Sequence, residues 1–363
     1  MKQPWIFVLF LFVQTYHAYC QKPVINFETY NPASTLVVPK HILKKAKYPF
    51  IDVHNHQPGM GTQNLSALIS EMDTLNMKVM VNLTGFGGER LKAMADNIQQ
   101  HYPKRIVLFT NLDFRGFGTK TWTENAVQKL RKDVATGAKG LKIFKELGLF
   151  YKDDKGARIP VDDSRLDPVW SACGELKIPV LIHSAAPKSF WDSLDNNNER
   201  LLEMTLHSDR VYTAETTAPW EQIIAEQHRM FKKHPGTIFI NAHFGWLANN
   251  LAALSNLMIE IPNMYIEFGA VIAELGRQPI AAGKFFEKFQ DRILFGKDAW
   301  VPEEYTTYFR VLETADEYFP YHKKYHAFWA MYGMNLPDEI LKKIYYKNAL
   351  RIIPGIDKSL FPE

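Results

Sequence analysis

Two histidines one residue apart close an apolar run, Pro49-Phe-Ile-Asp-Val-His-Asn-His56. The run reads as a short buried strand, and because side chains alternate faces along a strand, His54 and His56 point the same way. This is the spacing with which a metal ion collects two imidazoles from one strand end. Three later apolar runs also end in a metal-competent residue: Ile178 to His183, Thr237 to His243 and Arg292 to Asp298. Imidazoles with one carboxylate suit Zn²⁺ or a similar borderline ion, and an open coordination position holds water whose pKa falls to about 7. Four strand ends aimed at one point would make such a site.

The elements that must aim them alternate along the chain. Strands are predicted at Phe50 to His56, Lys78 to Leu83, Arg105 to Asn111, Gly140 to Lys145, Val180 to His183, Ile238 to His243, Met264 to Phe268 and Ile293 to Phe295. Amphipathic helical patterns lie between them: Leu65 to Leu75, Glu89 to Gln100, Glu124 to Ala135, Pro168 to Leu176, Trp220 to Lys233, Leu247 to Ile259 and Ile280 to Phe289. Eight strand-then-helix units fit an α/β fold of the (β/α)8 TIM-barrel type, whose active site lies at the C-terminal ends of the strands. A doubly wound open sheet is the competing architecture, but it would not bring strands one, five, six and eight to a common centre. A last helix, Asp338 to Ile352, starts after Pro337 and is expected to close the bottom or side of the barrel. No repeat or interdomain linker interrupts residues 48–363, which read as one catalytic domain behind a leader segment over residues 21–47.

Composition narrows the class. At 363 residues and 46% hydrophobic content the chain can bury a sizeable core. Its net charge of +4 comes from mixed charges without a basic stripe, which argues against nucleic acid and against a membrane-surface role for the folded part. Residues 1–20 differ: Lys2, an apolar run from Trp5 to Val13 and Ala18-Tyr-Cys20 read as a signal peptide, so a secreted or periplasmic protein is expected. The alternative is a lipoprotein anchored through Cys20, although His-Ala-Tyr before it fits a lipobox poorly. Either way Cys173 is left as a single free thiol, which excludes an intrachain disulfide framework and a cysteine metal site.

The histidine pair on the first strand, histidines on the fifth and sixth and Asp298 in Leu-Phe-Gly-Lys-Asp resemble the amidohydrolase superfamily of metal-dependent TIM-barrel enzymes. The opening Ile-Asp-Val-His-Asn-His is most similar to its amidohydrolase-2 branch, which holds aminocarboxymuconate-semialdehyde decarboxylase, related aromatic-acid decarboxylases and several lactonases. The resemblance runs from Pro49 to Ile353. It implies that His54, His56, His183 and Asp298 ligate one divalent metal, zinc in the first instance, with His243 beside it. Asp298 would also accept a proton as the activated water attacks, and His243, with a partner to fix its tautomer, would orient that water or stabilise the oxyanion. Asp52 is assigned a structural or supporting role. On the fourth strand Lys142 and Lys145 have opposite parity, so only one points inward. That lysine is read as an ammonium holding an anionic substrate group, in preference to a carboxylated lysine bridging two metals.

Substrate contacts are expected from the loops. The longest follows His183, with Phe190 and Trp191 as candidate platforms and Lys188 and Arg200 as anion contacts. Glu267 and Arg277 are read as a salt bridge bracing the rim, Phe150 to Pro160 as a small hairpin with solvated charges, and His41, His101, His207, His228, His234, His322 and His326 as solvated. Arg277 remains a candidate substrate contact. Tyr318 to Tyr332 could form a homo-oligomer interface or cover the outer helices, with the second preferred. The expected reaction is hydrolysis of a lactone, ester or amide bond in a small anionic molecule by a metal-activated water. The alternative is non-oxidative decarboxylation of an aromatic or unsaturated acid, and a silent binding barrel ranks third.

Overall fold

In the computed structural model residues 25–26 and 29–363 are described; the signal-peptide and Cys20 readings fall outside them. The described residues between 25 and 47 carry no helix or strand. Leu36–Glu363 clusters as one compact unit, and Met1–Thr35 is assigned apart from it. Among the described residues no helix is long and apolar enough to cross a membrane.

Eight parallel strands form the expected barrel in sequential order: β1 Phe50–Asn55, β2 Met77–Asn82, β3 Ile106–Asn111, β4 Gly140–Ile143, β5 Val180–Ile182, β6 Phe239–Asn241, β7 Met264–Glu267 and β8 Ile293–Leu294. Their residues are almost all buried, as parallel strands must be when helices cover the outside and side chains fill the inside. Closure between β8 and β1 relies on few bonds. Val53 N–H donates to Phe295 O at 2.9 Å, Asp298 N–H donates to His54 O at 2.7 Å, and Asn55 bridges Asp298 in parallel.

Aromatic packing reinforces that seam. The Phe295 ring lies 4.7 Å from Phe50, 5.3 Å from Phe268 and 5.6 Å from Tyr345. Tyr345 belongs to the last helix, which follows Pro337 and runs from Asp338 to Ile352 with a π turn at Lys343–Lys347. That helix packs against β8 and the loop entering it: Ile344 O accepts from Phe295 N–H, and the Asn348 side chain donates to Ile293 O at 2.8 Å and to Gln290 O at 2.7 Å.

Three sequence expectations need correction here. The helix expected from Leu247 begins at Leu251, because Asn250 caps it by accepting from Ala253 N–H and the residues before it form a different turn. The seven outlying histidines are not all solvated. His326 is buried facing Glu203 at 3.4 Å, His322 faces Glu304 at 3.4 Å and His234 pairs with Asp167 at 2.9 Å, whereas His41 stays exposed as expected. Helical periodicity carried no sign that loops fold back over these rings. Arg158 of the small hairpin likewise leaves solvent to bind Glu226 at 3.0 Å.

Two stability measurements follow. Phe295→Ala should cost about 3–5 kcal/mol in urea unfolding, because truncation opens a cavity at the thinnest junction of the barrel; a loss below about 1 kcal/mol would show that the backbone bonds alone close it. His228 is held down at about 4 by burial and then by Lys232, so it stays neutral in the fold while the unfolded chain takes up a proton. Its contribution is therefore complete above pH 6.5 and is lost as pH falls toward 4, with a slope of at most about 1.4 kcal/mol per pH unit. His228→Gln should flatten the stability profile in that window.

Candidate metal centre and active site

The C-terminal ends of β1, β4, β5, β6, β7 and β8 converge on one point. Asp298 Oδ1 lies 3.5 Å from His54 Nε2 and 3.5 Å from His56 Nε2, and these three ligand atoms all fall within 4.8 Å of one another. A second compact group, His54, His243 and Glu267, shares His54 with the first.

Hydrogen bonds fix which ring nitrogens carry protons. His54 Nδ1 donates to Glu267 Oε1 at 2.8 Å, leaving its Nε2 lone pair directed at the centre. His243 Nδ1 donates to Gly269 O at 2.7 Å, and in the neutral ring this leaves Nε2 as the acceptor. The neighbouring His183 Nδ1, 3.3 Å away, must therefore be the donor between the two rings. His183 Nε2 is then an unshared lone pair, buried without a partner among the described residues. His56 Nδ1 rests on Thr84 Oγ1 at 2.7 Å.

Charge at the centre fits the same picture. His54 and His183 are driven well below the ordinary imidazole range, by burial first and then by Lys142 and His243 respectively. His56 falls to about 4 for the same leading reason. Burial works against ionisation of Asp298, yet His54, His243, His56 and Lys142 around it hold its carboxyl at about 2. Neutral imidazoles beside an ionised carboxylate are the donor set a divalent cation requires, and the orphaned His183 Nε2 has no other use for its lone pair.

The backbone under this centre is shaped to suit it. His243, Phe244, Gly245 and Trp246 all take positive φ, a left-handed turn that costs roughly 1–2 kcal/mol for each residue bearing a side chain. Glu267 Oε1 accepts from His243 N–H at 2.8 Å, and Phe244 is sunk among Phe268, Phe285 and Phe286. A Cβ at Gly245 would come 2.4 Å from Asn241 Nδ2, and one at Gly296 would come 2.3 Å from Glu267 Oε2, so side chains are excluded at both. The turn stacks the Trp246 ring on His243 at 4.5 Å.

Residues 51–355 match the amidohydrolase family model, Amidohydro_2. The chain belongs to the amidohydrolase family. Its fold is similar to a dihydroxybenzoic acid decarboxylase from Polaromonas sp. JS666 with bound manganese and the inhibitor 2-nitroresorcinol, at TM-score 0.54 and 14% identity over 84% of this chain and 96% of that one. An uncharacterized TIM-barrel protein from Bordetella bronchiseptica gives TM-score 0.51 and 16% identity over 84% and 97% of the two chains. 4-Oxalomesaconate hydratase from Rhodopseudomonas palustris gives 0.50 and 13% over 86% and 97%. At such identities the likeness speaks for the fold. No curated protein matches by sequence. The amidohydrolase family uses a divalent metal.

Against this amidohydrolase centre the expected residues fall as follows. His54, His56 and Asp298 form one compact group, whereas His183 joins them through His243 and lies outside both groups. Lys142 is the inward lysine, buried with Nζ 3.4 Å from His54 Nε2 and brought down to about 8 by burial. Asp52 sits below the centre, accepting from Tyr305 O–H at 2.6 Å and His54 N–H at 3.0 Å, and burial raises it to about 6.

The loop expectations change more. Phe190 is buried at 5% exposure and offers no platform. Trp191 is partly buried, packs on Tyr212 at 4.5 Å and donates to Ala218 O. Lys188 pairs with Asp192 at 2.8 Å in the open, and Arg200 is buried between Glu203 and Glu274. Arg277 does not meet Glu267: it binds Glu199 at 2.9 Å and stacks over Trp329 at 3.9 Å, while Glu267 lies at the metal centre. The aromatic stretch after Tyr318 forms a short hairpin, Phe319–Pro320 with Ala330–Met331, in which Tyr321 is buried. Glu267 and Trp246 are the site residues that sequence reading missed. An acid as the last residue of a strand and an aromatic three residues after a strand-end histidine were the signals present.

Glu267→Gln should weaken Zn²⁺ or Mn²⁺ binding roughly 10- to 100-fold by calorimetric titration, because the amide cannot hold His54 and the turn as the carboxylate does. Unchanged affinity in a folded variant would remove Glu267 from the centre.

Proposed function

We propose that this amidohydrolase hydrolyses a lactone, ester or amide bond of a small anionic molecule, with His54, His56, His183 and Asp298 holding one divalent cation, zinc first among the candidates. The observation that carries the reading is Asp298, an ionised carboxylate whose Oδ1 stands 3.5 Å from two imidazole nitrogens at the mouth of the barrel. A cation bound there supplies Lewis acidity, polarising a carbonyl and acidifying water.

The chain's own groups do the rest. Asp298 takes the proton from water as it attacks the carbonyl and returns it to the leaving group. His243 cannot rotate, and with its two nitrogens engaged by Gly269 O and by His183 it acts by fixing the His183 ring beside the cation position rather than by holding the water. Lys142 is still protonated at neutral pH and places a positive charge beside the reacting position, which selects an anionic substrate. Export, read from residues 1–20, suits a hydrolysis that needs no diffusible cofactor.

The test is a panel of lactones, esters and amides followed by acid release, with product analysis. Asp298→Asn should lower kcat/KM by roughly 10²- to 10⁴-fold. Lys142→Met should raise KM for anionic substrates and leave neutral ones little changed. Release of carbon dioxide from an aromatic or unsaturated acid, with no hydrolysis anywhere in the panel, would replace this reading with the decarboxylation for which the Polaromonas relative is named. In metal analysis, about one ion per chain should be retained by the wild type and lost in His183→Ala.

A further inference from the structure

Four imidazoles meet at the metal centre, and their ring nitrogens are not all held alike. His54 Nδ1 gives its proton to the Glu267 carboxylate and His243 Nδ1 gives its own to the Gly269 carbonyl, groups that can only accept. His183 Nδ1 in turn donates to His243 Nε2. These three rings keep one tautomer whatever stands at the centre. His56 differs: its Nδ1 lies 2.7 Å from the Thr84 hydroxyl, which accepts and donates equally well. Among the described residues the Thr84 hydroxyl has no other partner, so its hydrogen is free to turn.

The heavy atoms of this pair are fixed all the same. One buried amide, Asn82, accepts at Oδ1 from Thr84 N–H and from Gln57 N–H, each at 3.0 Å, and donates from Nδ2 to Gln57 O at 2.9 Å. It thereby anchors both the hydroxyl and the residue after the ring. His56 N–H is held by Asn55 Oδ1 at 3.0 Å. Ring and hydroxyl stay in register while the hydrogen between them has two places to go. His56 is also on the solvent side of the centre: its side chain is 28% exposed and that of Asp298 35%, against 1% for His54 and for His243.

We propose that Thr84 is a positioning residue that makes His56 the exchangeable ligand of the metal centre, its hydroxyl accepting from Nδ1 while Nε2 holds the cation and donating to Nδ1 when the cation has left. In the second state the Nε2–H faces Asp298 Oδ1, 3.5 Å away. The proton leaves one nitrogen for water as another arrives at the other, so the ring stays neutral and nothing is gained or lost overall. A cation then enters and leaves past His56, over rings that never rearrange. The inference rests on the metal centre assigned above and not on the bond that is hydrolysed there.

The full chain, with histidine labelled by ¹⁵N, tests it near neutral pH with Zn²⁺ as the probe. Imidazole nitrogen spectra should show His56 as the Nε2–H tautomer in the chelator-stripped protein and as Nδ1–H after zinc is added, with His54 remaining Nδ1–H throughout; loss of a signal in His56→Gln assigns it. Thr84→Val, which keeps the shape and removes the hydroxyl, should weaken Zn²⁺ binding roughly 10-fold by chelator competition. Thr84→Ser should restore it to nearly the wild-type value, which a role in packing alone would not do. His56 found as Nδ1–H in both states overturns the proposal, and so does a change of tautomer at His54 or wild-type zinc affinity in Thr84→Val. Should Thr84→Val fail to fold, the wild-type spectra decide. Zinc that is never retained removes the centre and this proposal together, whereas retained zinc without hydrolysis of any lactone, ester or amide removes the proposed reaction and leaves the role of Thr84 standing.

Discussion

A single buried carboxylate holds the centre of this amidohydrolase together. Glu267, fully enclosed at the end of β7, accepts from the His54 ring, from His243 N–H and from Gly269 N–H at 2.8, 2.8 and 2.6 Å. Those three donors come from β1, from the turn after β6 and from the turn after β7. A buried acid is tolerated only where its oxygens are saturated with donors, and here the saturation aligns three strand ends. It sets the tautomer of one imidazole directly. By fixing the backbone that carries His243, and the Gly269 peptide that His243 binds, it sets the orientation of a second ring as well.

The same acid helps hold a conformation that the chain would otherwise abandon. Consecutive left-handed residues from His243 to Trp246 are intrinsically unfavourable, and strain of this kind persists only where the surroundings over-determine it. Here those surroundings are the Glu267 bond above, the Phe244 ring locked among phenylalanines below, and Gly245, which alone can pass Asn241. The result is a stacked ring pair, His243 and Trp246, on a turn tied to the barrel at both ends.

Much of this was legible in the sequence, and the limits have a physical cause. Strand period and strand-terminal histidines are local signals, so the eight-unit barrel and the aiming of His54, His56 and Asp298 at one point could be read from spacing, whereas parity on the fourth strand said only that one of Lys142 and Lys145 faces inward. Glu267 could not. Its partner in sequence-local reasoning was Arg277, ten residues on, whereas its actual partner His54 lies 213 positions away on a strand brought near only by closure. Phe190 failed for a related reason: an aromatic in a polar loop looks available until the loop folds its own small core against Tyr212. The left-handed turn at Phe244 and Trp246 left no trace in composition, since neither residue type favours positive φ.

The bonds that shut the barrel run through the backbone of the very residues whose side chains face the metal position. Asp298 gives its N–H to His54 O, and Asn55 pairs with Asp298, none of which involves an imidazole or a carboxylate. Evolution can therefore edit the reactive groups at this seam without reopening it, provided the residue at 298 accepts a φ of +83° as Asp, Asn or Gly do. Inheritance of the scaffold and turnover of its chemistry become separable, which is how one lineage can keep a single architecture while its members diverge into different reactions.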